Sequence, residues 1–111
     1  MNITLENVTS SNYEAVCDLD VTDEQQDYVA SNIWSLLESH YCHGHTCRAI
    51  YQNDKPVGFL MWVSETPAKV SVWRFMVDQG FQKAGIGRAA LNLALNEIKS
   101  SDKVKEIEIC Y

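Results

Sequence analysis

The residues with the most chemical potential lie between positions 70 and 91. An apolar run, Val70-Ser71-Val72-Trp73-Arg74-Phe75-Met76-Val77, leads into a polar turn at 79–84 and then into Gly85-Ile86-Gly87-Arg88. Two glycines at a helix entrance let the backbone come close to a ligand. The first helical turn adds unpaired N–H groups at the positive end of the helix dipole. Such a place suits a phosphate or pyrophosphate. Small residues at a helix start also serve close packing, and two glycines alone do not decide between these uses.

A second set of reactive side chains is His40-Tyr41-Cys42-His43-Gly44-His45-Thr46-Cys47, which holds all three histidines and two of the four cysteines. His40, Cys42, His45 and Cys47 are zinc-ligand types, but their spacing departs from the two-pair arrangement of structural zinc sites. A surface loop between a helix and a strand accounts for them more simply, and no metal is expected.

Three phosphate-binding patterns can be set against residues 82–90. The P-loop pattern, with its Gly-Lys-Ser/Thr ending, has no match. Gly85-x-Gly87-x-x-Ala90 fits the dinucleotide fingerprint, with Glu106 or Glu108 near the distance of a ribose-binding acid. In that motif, however, the first glycine follows its strand almost directly, whereas here residues 78–84 intervene. The third pattern, Gln/Arg-x-x-Gly-x-Gly/Ala, is present as Gln82-Lys83-Ala84-Gly85-Ile86-Gly87. It resembles the acetyl-CoA pyrophosphate loop of the GNAT superfamily of N-acetyltransferases. The block from Arg74 through Leu91 is similar to the corresponding block of spermine/spermidine (diamine) acetyltransferases. So are residues 19–32, Ala49-Ile50-Tyr51 and residues 56–61.

The resemblance implies a GNAT acyl-CoA N-acyltransferase fold, acetyl-CoA as co-substrate and a small amine such as a polyamine as acceptor. The backbone of Phe75, Met76 and Val77 would then pair with the pantetheine arm and polarise the thioester carbonyl. The N–H groups of Gln82, Lys83, Ala84, Gly85, Ile86, Gly87 and Arg88 would hold the pyrophosphate, assisted by the charges of Lys83 and Arg88. Arg88 equally suits the exposed face of its helix.

Two departures from the family pattern stand out. Relatives continue past the last strand with a helix bearing an acid-supplying Tyr and two more strands, so the domain is expected to be C-terminally truncated. Tyr111 ends a strand and does not take that Tyr's place. Trp73 stands where polyamine-acetylating relatives tend to carry an acid. Glu65 and Glu24 are candidates for a base, and no catalytic residue is assigned. The alternative is a catalytically degenerate acyl-CoA-binding protein, or a dimeric interaction protein that keeps the fold.

The elements that must position these residues follow from periodicity. The order expected over a single domain, 1–111, is a strand at 2–8, two helices, three antiparallel strands, a helix from residue 86 and a last strand at 104–111. That is an α/β (α+β) fold with a mixed, mostly antiparallel sheet flanked by helices. Ser11-Asn12-Tyr13-Glu14 and Thr22-Asp23-Glu24-Gln25 resemble capping boxes. Val29, Ile33, Leu36 and Leu37, flanked by Tyr28 and Trp34, form an expected core stripe. On the last long helix, Glu97 is a charged residue near the apolar side that must reach outward.

Bulk composition narrows the classes. With 46% hydrophobic and 22% charged residues the chain is ordinary for a globular protein. A net charge of −6 argues against nucleic-acid binding. No stretch has the length to span a membrane and no leader opens the chain, so a cytoplasmic protein with reduced cysteines is expected. The last strand, left uncovered, is expected to pair with a second copy in a homodimer.

Overall fold

A computed structural model describes residues 2–19, 32–81 and 85–109. Five strands form one sheet in the order β1-β2-β3-β4-β5. The strands are β1 (Ile3–Asn7), β2 (His45–Gln52), β3 (Lys55–Ser64), β4 (Lys69–Val77) and β5 (Glu106–Ile109). The first four are antiparallel neighbours, and β5 joins β4 in parallel after a crossover through a helix. The helices are α1 (Tyr13–Cys17), α2 (Asn32–Tyr41) and the crossover helix α3 (Ile86–Lys99).

The sheet is apolar on both faces because helices cover both. Leu60, Trp62, Val70, Val72 and Val77 pack with Ile86, Ala90, Ala94 and Ile98 of α3. On the opposite face Val16 of α1 packs with Ala49, Phe59, Met61 and Met76, with Leu36 of α2 and Trp73 against them. The alternation of side chains along β4 is interrupted once. Met61 pairs with Arg74 and Trp62 with Val72, so Trp73 is an extra residue, a β-bulge in β4.

Four sequence expectations need correction or fall outside the described residues. The first capping box does not form: Asn12 is the N-cap of α1 and makes no side-chain cap bond. Its Oδ1 instead accepts from the Thr9 N–H at 2.7 Å. The second box, together with Tyr28 and Val29, lies outside the described residues. In α2 the expected stripe is split: Leu36 packs on the core, while Ile33 and Leu37 are exposed and Asn32 and Ser35 are buried. The helix face is chosen by polar bonding and small size: the Asn32 amide donates to the Val16 carbonyl at 2.8 Å, and the small Ser35 is fully buried. Finally, His45, Thr46 and Cys47 are not loop but the start of β2, and only residues 42–44 form the turn before it.

Candidate functional site

The site begins with Gly85. It is the N-cap of α3 and holds φ 74°, ψ 11°, a left-handed conformation that is unfavourable for any residue with a Cβ. This turns the chain abruptly from the segment after β4 into the helix. No side chain caps α3 and no acid stands in its first turn. The first N–H groups of a helix have no partner within it, so this end keeps its positive character and its donors. Those properties fit an anion such as the pyrophosphate of coenzyme A.

Gly87 brings the helix onto β4. A Cβ there would stand 3.6 Å from the Phe75 ring and 4.0 Å from Val77, ordinary contact distances. The head of α3 therefore rests on the end of β4 through a small residue, and an alanine would also fit. Ile86 is fully buried and acts as the anchor that fixes this seat, so it can offer a ligand only its backbone. Arg88 is exposed at the helix surface.

Sequence reasoning grouped ten positions, and the structure brings several of them together. Phe75, Val77, Ile86 and Gly87 meet between β4 and the first turn of α3. The Met76 side chain lies on the other face of the sheet beside Asn32, 3.6 Å from its Nδ2, leaving only its backbone for this site. Gln82, Lys83 and Ala84 lie outside the described residues. The pairing of β4 with β5 runs from Lys69 with Glu106 to Val72 with Ile109, and β4 then continues to Val77. The bulge at Trp73 falls directly after the last pair among the described residues.

Of the two candidate bases, Glu65 sits in the β3–β4 turn, its carboxylate 3.3 Å from Lys69 Nζ. Lys69 also pairs with Glu106 and Glu108 of β5, and the hydrogen bonds it donates to Glu108 first and then to Glu65, with the charges of both, raise its pKa. Glu65 thus belongs to an ion cluster that ties the turn to β5. Glu24 lies outside the described residues. What sequence reasoning missed is a group on the face opposite α3: Arg74, Glu38 and His45 converge behind the bulge. The alternation of β2 was the available signal, since it sends His45 and Cys47 to the same face. Among the described residues no group of three His, Cys, Asp or Glu could hold a metal ion.

Comparison with known proteins matches this geometry to a family. The sequence profile of the Acetyltransferase (GNAT) family covers residues 8–110. The chain belongs to this family. Spermine/spermidine N(1)-acetyltransferase of Bacillus subtilis (strain 168) is 29% identical over 96% of this chain and 75% of its own length. A ribosomal-protein-alanine N-acetyltransferase from Brucella melitensis superposes with a TM-score of 0.72 at 10% identity, covering 99% of this chain and 80% of that one. PaiA N-acetyltransferase from Thermoplasma acidophilum, in complex with coenzyme A, gives a TM-score of 0.65 at 13% identity over 90% and 74% of the two chains. The five-stranded mixed sheet with its helices is therefore the GNAT fold, and acetyl-CoA as co-substrate fits the family. Among the described residues no helix is long and apolar enough to cross a membrane.

Proposed function

We propose that the protein transfers an acetyl group from acetyl-CoA to a small amine, with a polyamine as the acceptor class. The observation that carries the reading is the left-handed Gly85 opening an uncapped, acid-free helix end seated on β4. In this reading the backbone N–H groups at residues 82–88 hold the pyrophosphate, with Lys83 and Arg88 adding positive charge. The backbone of Phe75, Met76 and Val77 lines the pantetheine arm and polarises the thioester carbonyl as negative charge develops on its oxygen. The amine attacks directly, so no acyl-enzyme nucleophile is required. The polyamine assignment rests on the likeness to the Bacillus enzyme and on a net charge of −6, which favours a cationic partner.

The test is a thiol-release assay with acetyl-CoA across spermidine, spermine, an aminoglycoside and an N-terminal peptide. The reading expects the polyamines to give the highest kcat/KM. Turnover confined to a non-amine acceptor would overturn it.

The same reading places the protein in the cytoplasm as a homodimer. Support for the dimer comes from the outer side of α3 and β5, where Leu91, Leu95, Val104, Ile107 and Ile109 line a mainly apolar groove of about 450 Å³ that Lys99 and Lys105 flank. Ile109 is exposed there, and a second copy would cover it.

A further inference from the structure

Behind the β4 bulge, three titratable side chains meet, each with one buried polar atom that has no hydrogen-bond partner among the described residues. Glu38 Oε1 lies 3.5 Å from Arg74 Nη2 and 3.9 Å from His45 Nε2. The His45 side chain is only 7% exposed. Neither Glu38 Oε1 nor His45 Nε2 nor Arg74 Nε has a hydrogen-bond partner among the described residues, although all three are buried. Buried polar atoms are nearly always bonded, so three open ones in one cluster are atoms that a further hydrogen-bonding group would satisfy.

The histidine is set for one role. Its Nδ1 lies 3.0 Å from the His43 carbonyl oxygen. A carbonyl can only accept, so in the neutral ring Nδ1 carries the proton and Nε2 presents a lone pair toward Glu38. The Trp73 ring meets the imidazole edge-on at 5.6 Å and fixes its plane. Outward from Glu38, α2 offers a groove of about 330 Å³ lined by Trp34, Leu37, Glu38 and Tyr41. Aromatic side chains lining one groove with a carboxylate suit an alkylammonium, by cation–π attraction and charge pairing together.

We propose that Glu38 and His45 form the amine end of the transfer site, taking a primary alkylammonium through the α2 groove, with Glu38 binding the ammonium and His45 Nε2 removing its proton. This rests on the acetyl-transfer reading above. A nitrogen at an ordinary hydrogen-bond distance of about 2.9 Å can bond to both Oε1 and Nε2 across their separation. The ammonium gives one proton to Nε2, and its freed lone pair attacks the thioester carbonyl carbon. The nitrogen–carbon bond forms, the carbon–sulfur bond breaks, and the sulfur leaves with the bonding pair and takes the second nitrogen proton. His45 then returns its proton to solvent. The site lies on the sheet face opposite α3, so amine and coenzyme approach the bulge from different sides. Among the described residues, the charged or titratable groups near the imidazole are Glu38 from α2, Arg74 from β4 and Cys47 from its own strand. Arg74 is a positioning residue that holds the carboxylate oxygen in place.

The test compares the parent with Glu38→Gln and His45→Asn, the asparagine keeping a donor for the His43 carbonyl. Initial rates are measured against pH with 1,4-diaminobutane and acetyl-CoA, and coenzyme A affinity by calorimetry serves as the folding control. Glu38→Gln should raise KM for the diamine about 10- to 100-fold with KM for acetyl-CoA unchanged. His45→Asn should lower kcat roughly 100-fold and remove the acid limb of the pH profile. Parent-like KM and kcat in both variants would overturn the proposal. A parent that turns over no amine would instead defeat the acetyl-transfer reading. The amine site is then read from the His45 Nε2 nitrogen resonance. 1,4-Diaminobutane must shift it in the parent and not in Glu38→Gln, and an unmoved resonance in the parent rejects the site.

Discussion

Arg48 of β2 and Glu97 of α3 are joined at both ends of the carboxylate, Nε to Oε1 at 3.2 Å and Nη2 to Oε2 at 2.6 Å. The guanidinium also lies 5.4 Å over the Trp62 ring, and its Nη1 donates to the Cys47 carbonyl at 2.9 Å. Glu97 therefore does not reach out to water from the apolar side of its helix. It reaches across to Arg48 and pins α3 to β2. A forked, partly buried pair is stronger than an exposed one. Glu97→Ala should cost about 1–2 kcal/mol of stability by denaturant unfolding, with the double variant Arg48→Ala/Glu97→Ala less destabilised than the sum of the singles.

The two glycines of the site should answer differently to substitution. Gly85→Ala forces a Cβ into the left-handed region and should cost about 1–2 kcal/mol while misaligning the N–H groups at the helix end. Gly87→Ala meets only ordinary contacts with Phe75, so it should leave stability equal or slightly raised. Thermal unfolding and coenzyme A calorimetry on both variants check this contrast. Equal losses in the two would show that space at the helix head, rather than backbone conformation at the cap, controls the site.

Thiol chemistry should separate the cysteines. Burial raises the pKa of Cys47, and the Glu38 charge adds to it against a hydrogen bond from Ser39 and the charge of Arg48. Burial raises that of Cys17 as well, helped by Asp18 and Glu14. Cys42 is exposed. Alkylation at pH 8 followed by peptide mass mapping should modify Cys42 well before Cys47 or Cys17. The linked effect on stability lies on the alkaline side. A thiol held above its ordinary value of 9.0 ionises first in the unfolded chain, so its contribution is complete below that pH and is lost as pH rises through the folded value. Denaturant midpoints should therefore fall between pH 9 and higher values on this account.

Much of this architecture was legible in the chain because its signals are local. The change of period at Gly85, from a strand apolar on both faces to a 3.6-residue repeat, marks both the site and the element that carries it. The hairpin of β2 and β3 announced itself by residues 52–56. The faces of α2 were not legible, because burying Asn32 depends on the Val16 carbonyl, which is distant in sequence. Glu97 misled for the same reason, its partner lying on another strand. The group of Glu38, His45 and Arg74 escaped notice because three elements supply it, and a bulge at Trp73 is needed to bring Arg74 to that face.

Association should be concentration dependent if a second copy covers the groove between α3 and β5. Light scattering at micromolar concentration should give twice the 12.6 kDa chain mass, and Leu95→Glu should return it to 12.6 kDa. A parent that scatters as a monomer throughout would remove the dimer from the account.

On the proposed function, the Gly85 turn and the open end of α3 hold coenzyme A for acetyl transfer to an amine. Calorimetric titration of the unmodified protein with coenzyme A tests it most directly. The account predicts saturable one-site binding that Gly85→Ala weakens and that high salt reduces, as expected for a pyrophosphate held by N–H groups and nearby cations. The absence of any binding heat or competition with acetyl-CoA by the folded parent would contradict it.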